Sequence, residues 1–317
     1  MKISVAIAAY RGEKYIAAQL QSIANQTRLP DEVVICDDSP DALTGNEVQK
    51  FLSLLPVKYF ANPRQLGTSG NFNKALSMTT GDVIFLCDQD DIWYPEKIAV
   101  MSSMLDPEKL QAVFCDSDIT GADNILCGMT HLETREYGYL RKLPPGRWEN
   151  QLSHCCRRVP AAGHDMAFTR ILLQKLLPLP EIPDCHDTYL GTAAAALDAW
   201  QICPRSLGTF RRHGGSASRS GQKFSLIMQL REAKNSIKNN SFAWNAALFR
   251  AVIDRLPELD TEKKSMLRAR MEHSANRAEM SRNIFRRVPH IWEELRSGNY
   301  FRFGRGWKNV IQDIFFR

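Results

Sequence analysis

The sequence predicts an α/β protein in which a parallel sheet is sandwiched by helices, followed by a helical C-terminal region. Three observations lead there. Five short apolar runs, at 3–8, 32–36, 57–60, 82–87 and 111–116, are continuous rather than alternating, as in strands buried on both faces. Amphipathic stretches such as "EKYIAAQLQSIANQ" separate them, which is the rhythm of strand–helix–strand units. The runs also end in reactive side chains, and ligands of such sheets bind outside the carboxyl ends of the strands.

Taken in order, "ISVAIA" leads into Tyr10 and Arg11, and "EVVIC" ends in Asp37 and Asp38. "VKYF" is a shorter third strand. "DVIFLC" supplies four apolar residues, Val83 to Leu86, and then turns into Asp88, Asp90 and Asp91, while "QAVFCD" ends in Asp116 and Asp118. From about 120 to 222 the pattern is irregular and rich in Gly, Pro, His and Arg. Beyond 223, "FSLIMQLREAKNSIKN", "FAWNAALFRAVIDRL" and "TEKKSMLRARMEHSANRAEMSRNIF" have helical periodicity, and a boundary is expected in "RHGGSASRSGQ", 212–222. The chain is therefore divided into an α/β domain, 1–222, and a helical, basic region, 223–317.

Composition excludes several classes. A chain of 317 residues, 44% hydrophobic and 24% charged, is ordinary globular material. No apolar run approaches the roughly 20 residues of a membrane-spanning helix, and the opening residues read as a first strand rather than a signal peptide, so a cytoplasmic location is expected. Eight cysteines without a C-x-x-C pair fit reduced, buried thiols. The set His154, Cys155, His164, Cys185 and His186 matches no common zinc spacing. Residues 1–222 carry 22 Lys+Arg against 25 Asp+Glu, and residues 223–317 carry 19 against 10, so the net charge of +6 comes from the C-terminal region. A basic region of this kind points to an anionic partner.

Three carboxylates within four residues repel one another at the lip of a core unless something positive meets them. A solvated acidic turn is one reading. An EF-hand loop fails, because counting from Asp88 places Trp93 where glycine and Ala99 where glutamate are required. A phosphatase with Asp88 as nucleophile is an alternative, although such motifs open their fold and here several strands precede it. A binding site for Mg²⁺ or Mn²⁺ on a nucleoside diphosphate is the fourth reading, since carboxylates are hard oxygen ligands.

The segments "SVAIAAYRGEKYIAAQLQSIANQT", "EVVICDDSPD", "NPRQLGTSGNFNKALSMTTGDVIFLCDQDDIWYPEKI" and "HDTYLG…RRHGG" occur in the order of glycosyltransferase family 2, and resemble most its bacterial rhamnosyltransferase-like branch, over about residues 1–220. The resemblance implies the GT-A fold, an inverting transfer from a nucleotide-activated sugar, and Mn²⁺ or Mg²⁺ as cofactor. It implies that Ala9, Tyr10 and Arg11 lie along the nucleoside and its phosphates, and that Asp38 binds the pyrimidine base. Asp88 and Asp90 match the D-x-D pair, with Asp90 the direct metal ligand, and His213 a late histidine completing that site. Asn73 falls beside the nucleotide-sugar, Gly163 allows close approach of the donor sugar, and Arg211 and Arg212 reach the phosphates. Asp187, in "PDCHDTYLG", is the general base that accepts the proton of the attacking hydroxyl. Phe72 stands where the family often has arginine, Thr188-Tyr189 where the branch often has two tryptophans, and His164-Asp165 where a small polar pair is usual.

The implied partners are a dTDP- or UDP-linked sugar, with dTDP-rhamnose the first expectation, and a saccharide acceptor, lipid-linked, in surface polysaccharide synthesis. The tail "NYFRFGRGWKNVIQDIFFR", 299–317, mixes six aromatic with four basic residues, the composition of an interfacial anchor on anionic lipid. A peripheral position at the inner membrane face is thus expected, and no nucleic-acid partner. A non-catalytic membrane- or nucleic-acid-binding protein is the remaining alternative.

Overall fold

Strands β1 (Ile3–Ala9), β2 (Glu32–Asp37), β3 (Val57–Ala61) and β4 (Val83–Asp88) lie parallel in the order β3-β2-β1-β4. The computed structural model describes residues 1–213 and 240–316; the expected helix at 224–239 and most of the expected boundary at 212–222 fall outside the described residues. Helices α1 (Ile16–Ala24), α2 (Leu43–Gln49) and α3 (Gly67–Met78) connect these strands, and α4 (Lys97–Ser103) follows β5 (Ile92–Trp93). β1, β2 and β4 are continuously apolar because both faces are covered, and their side chains form one core with those of α1 and α4.

The sheet stops being all parallel beyond β4. β6 (Ala112–Thr120), the fifth expected strand, is not its neighbour. A four-residue strand, β9 (Met166–Thr169), lies between them and runs antiparallel to both, pairing Phe85 with Ala167 and Phe114 with Met166. An antiparallel insertion starts where its neighbours end, so Gly163, His164 and Asp165 arrive at the carboxyl edge beside Asp88. β10 (Trp200–Arg211) runs parallel to β6, with register shifts flanking Ser206. Pro204, which has no N–H for the ladder, sits in this irregular stretch. β5 pairs with the end of β10, and Gly208 is needed there because a Cβ would lie 2.9 Å from the Ile92 carbonyl oxygen. β7 (Leu126–Thr130) and β8 (Gly146–Arg147) pair with β6 and β10. The short helices α5 (His131–Thr134) and α7 (Arg170–Leu176), with the longer α8 (His186–Ala196), complete this part, and α6 (Gln151–Arg157) lies between α5 and β9 in the chain.

Two compact units are distinguished. One contains Met1–Gln151 and the chain from Pro160 through β10; the other contains Leu152–Val159 and the C-terminal helices. These are α9 (Ser241–Arg255), α10 (Thr261–Glu279), α11 (Ile284–Arg296), α12 (Asn299–Arg302) and α13 (Trp307–Phe315). The single helix expected over 261–285 is two. Met280 leaves helical geometry, and Asn283 begins α11 by accepting the Phe285 N–H at 2.9 Å. The tail is folded rather than extended: Tyr300, Val310, Ile291 and Met280 form a small core, while Arg277 donates to both oxygens of buried Asp313 at 2.7 and 3.1 Å. No described helix is long and apolar enough to cross a membrane.

Candidate active site

The three carboxylates after β4 are divided between two histidines. Asp90 Oδ2 lies 2.7 Å from Nε2 of His213, which stacks on Tyr15 at 4.4 Å. Asp88 Oδ2 and Asp91 Oδ2 each lie 3.4 Å from Nδ1 of buried His164. On its far side, His164 Nε2 is 3.1 Å from Asp165 Oδ2. The imidazole stacks flat on Phe210, 5.2 Å between centroids, and its nitrogens meet these carboxylates at ion-pair distance without hydrogen-bond alignment. Asp165 is fully buried, accepts from Ser117 Oγ at 2.5 Å and lies 3.5 Å from Lys97 Nζ. Lys97 donates to the His164 carbonyl at 2.9 Å and lies over the Trp93 ring.

These contacts order the proton affinities. Burial works against charge on His164, but Asp165 and Asp91 hold its pKa well above the ordinary value. Burial likewise opposes charge on Asp88, and His164 still draws its carboxyl below the usual range. Asp91 is pushed up to about 8 by burial, with His164 opposing and Asp90 and Asp88 adding to the rise. Asp90 is pushed up by burial and by Asp88, against the pull of His213. His131, whose Nδ1 lies 3.6 Å from Asp165, is lowered to about 3 by burial and by Arg135. The acidic turn is thus met by the His164 imidazole, whose pKa is held high, and Lys97 lies beyond it against Asp165.

The remaining expected residues are distributed around the same carboxyl edge. Tyr10 is 41% exposed, and the Gln89 side chain pairs with its backbone at 3.0 and 2.9 Å, tying the tip of β1 to the D-x-D turn. Arg11 has left-handed backbone geometry (φ 49°), its N–H donates to Ser39 Oγ, and its guanidinium lies over Tyr10. The Ala9 carbonyl accepts from the Asp38 N–H at 2.9 Å and from Asn71 Nδ2 at 3.0 Å. Asp38 is buried; it accepts from Asn62 at 2.6 Å and from the N–H groups of Leu66 and Gly67 at 3.0 and 2.9 Å. Asn73 is engaged elsewhere, accepting the Leu179 N–H at 2.8 Å. The Arg212 N–H donates to the Thr120 carbonyl, and the Arg211 N–H to Asp91 Oδ1, both at 2.9 Å.

Gly163 is required by a protein neighbour: a Cβ there would lie 2.8 Å from His186 Nε2. His186 stacks in turn on Phe72 at 4.3 Å. This stack fixes the start of α8, where Asp187 accepts from Thr188 N at 2.6 Å and Thr188 Oγ1 at 3.1 Å through one oxygen. Half-buried Arg135 lies within electrostatic reach of Asp187. Cys155 belongs to a different unit from His164, and among the described residues the five-residue zinc set is not gathered. Sequence reasoning passed over Gln89, Asn71, Lys97 and His131. The apolar-to-polar switch after β4 could have pointed to Gln89, whereas Asn71 and Lys97 lie in α3 and α4 and His131 opens α5, where no local signal marks them.

A carboxylate and an imidazole 2.7 Å apart, each partly exposed, offer one oxygen and one nitrogen ligand and leave most positions of an octahedral ion open. Asp90 and His213 therefore fit Mn²⁺ or Mg²⁺. Residues 4–170 match the family model "Glycosyl transferase family 2". The chain belongs to glycosyltransferase family 2. A curated relative, the Escherichia coli "UDP-Glc:alpha-D-GlcNAc-diphosphoundecaprenol beta-1,3-glucosyltransferase WfgD", is 28% identical over 124 residues, 39% of this chain and 49% of that protein. The Salmonella typhimurium abequosyltransferase RfbV is 28% identical over 127 residues, 39% of this chain and 38% of that one. The chain spans about a third to a half of the length of the curated relatives it matches.

Among solved structures, Staphylococcus aureus TarS 1–349 in complex with UDP-GlcNAc superposes with a TM-score of 0.59 at 19% identity, covering 87% of this chain and 72% of that one. The Pyrobaculum calidifontis mannosyltransferase PcManGT with GDP-Man and Mn²⁺ gives 0.53 at 16% identity, covering 98% and 85%. These likenesses establish the GT-A fold.

Proposed function

We propose that the protein is an inverting, metal-dependent glycosyltransferase that moves a sugar from a UDP- or dTDP-linked donor onto a lipid-linked saccharide in surface polysaccharide synthesis. The observation that carries this reading is the pairing of Asp90 with His213 at the carboxyl edge of the sheet, beside the Ala9–Arg11 segment and Asp38. UDP-sugar names among the similar proteins favour a uridine donor, and the diphosphoundecaprenol acceptor in the WfgD name favours a lipid carrier. dTDP-rhamnose stays in the test because the base-binding role given to Asp38 serves uracil and thymine alike.

In this reading Asp90 and His213, with Asp88 beside them, hold the divalent ion, which when bound supplies positive charge to the departing diphosphate. Tyr10 and Arg11 line the nucleotide, and Arg212 approaches the phosphates from the end of β10. Asp187 takes the proton of the acceptor hydroxyl through the oxygen that Thr188 leaves unoccupied. The hydroxyl oxygen bonds to the anomeric carbon from the face opposite the leaving group as the bond to the diphosphate breaks. The nucleoside diphosphate departs, and the configuration inverts.

Calorimetric titration with UDP and with dTDP, each with and without Mn²⁺, tests the donor site. Metal-dependent binding of one nucleotide, lost in Asp90→Ala, is expected. Absence of binding by both nucleotides under every condition overturns the reading.

A further inference from the structure

Helix α11 turns Ile291 into the small core but also buries polar groups and leaves its aromatics outside. Its buried positions include Arg287 and Glu294, while Phe285, Val288 and Trp292 are 86%, 50% and 65% exposed. Both polar residues make several hydrogen bonds inside, with only the Arg287 Nε left without one. Arg287 donates to the carbonyls of Ser281, Arg282 and Ile314, and Glu294 accepts from His273, Asn276 and Asn299. The inward face is therefore fixed by directional bonds, and the helix cannot rotate to bury its aromatics without breaking them. Spacing i, i+3, i+7 places Phe285, Val288 and Trp292 in one outward strip. α13 repeats the arrangement with Trp307, Ile311 and Phe315, at i, i+4, i+8, 60%, 48% and 71% exposed, above buried Asp313 and Gln312.

The charge beside these strips selects the occupant. Arg282, Arg286, Arg296, Arg302, Arg305 and Lys308 are exposed, against one exposed carboxylate, Glu293, in the same stretch. Aromatic side chains standing out from a helix, in a stretch rich in exposed cations, match the boundary between acyl chains and anionic headgroups. We propose that α11 and α13 form a docking surface for an anionic lipid bilayer, with Phe285 and Trp292 as the main inserted groups. The proposal rests on the lipid-linked acceptor given above and adds the surface that would bring the enzyme to it. The tail composition alone pointed to 299–317; the strip on α11 lies one helix earlier.

The test is co-sedimentation of the full chain with vesicles of phosphatidylcholine alone and with phosphatidylglycerol added, for wild type, Phe285→Ser/Trp292→Ser, Trp307→Ser/Phe315→Ser and Arg286→Glu/Arg296→Glu. Wild type is expected to partition onto the anionic vesicles at least tenfold better than onto the neutral ones, less so at high salt. The α11 pair should reduce partition tenfold or more, and the α13 pair and charge reversal by severalfold, with UDP titration unchanged in all. Equal partition of wild type and the α11 pair overturns the proposal. So does a wild-type dimer in light scattering that becomes monomeric in the α11 pair, since the strip would then join two copies. Failure of nucleotide binding in wild type overturns the functional reading and leaves the vesicle result to stand alone.

Discussion

His164 and Asp91 meet below the floor of the candidate site, Nδ1 to Oδ2 at 3.4 Å, with each side chain about 1% exposed. An imidazole so placed faces Asp88, Asp91 and Asp165 together. His164→Leu removes the cation and leaves buried Asp91 and Asp165 without it, so the variant should lose about 3 kcal/mol or more of stability. Urea unfolding at pH 7 measures it; a loss under about 1 kcal/mol would show that the imidazole carries little of the balance.

Asp90 is a carboxyl held above its ordinary pKa, so protons compete there with a divalent ion. Mn²⁺-dependent nucleotide binding should weaken as pH falls from 8 to 6. His213→Ala should weaken it at least tenfold at pH 8. Titrations at the two pH values, with and without the ion, give both numbers, and a pH-independent affinity would dissociate Asp90 from the metal.

Asp187→Asn should lower kcat by about 10²–10⁴-fold while nucleotide affinity stays within twofold. Binding and turnover measured on one preparation separate the two effects. Near-normal turnover would remove Asp187 from the reaction.

Gly163→Ala forces a methyl against His186 Nε2. The expected cost is about 1–3 kcal/mol, and His186→Ala in the same chain should recover most of it by opening the space. A double-mutant cycle on thermal midpoints checks this; additive losses would mean that the contact with His186 is not what excludes a side chain at 163.

Glu32 sits under the amino ends of the strands, accepting from Lys58 Nζ at 2.7 Å and Ser4 Oγ at 2.5 Å, and also from the Thr80 N–H. Burial opposes its charge, but these donors lower its pKa from 4.5 to about 2. A depressed carboxyl stabilises the folded state above its unfolded pKa, and that contribution disappears as pH falls from about 5 to about 2. Glu32→Gln should be less stable by about 2 kcal/mol at pH 7 and should lose less stability on acidification than wild type. Parallel curves for the two proteins would contradict the assignment.

The first four strands were legible because burial on both faces writes itself as uninterrupted apolar runs, and Asp88 and Asp90 because acidic residues directly after such a run are conspicuous. β9 was not legible: four residues, "MAFT", are too few to carry a period, and nothing local announces that they run antiparallel between β4 and β6. β10 was hidden by Pro204 and its register shifts. The partner of the acidic turn was hidden for the same reason, since His164 reaches Asp88 only through the placement of β9. Asn73 and Gly163 were marked as positions of interest, but the sequence could not show that their contacts are with Leu179 and His186. α11 was unread because its aromatics face outward, against the expectation that apolar faces point inward.

The network of His164, Asp165 and Lys97 has a consequence for inheritance. Each member is tolerable in the interior only because the others are present: Lys97 is held by the His164 carbonyl and the Asp165 carboxylate, and Asp165 by Lys97, Ser117 and the imidazole. A lineage losing one passes through an intermediate with an uncompensated buried charge. These positions should therefore vary among descendants as a set, drifting slowly together.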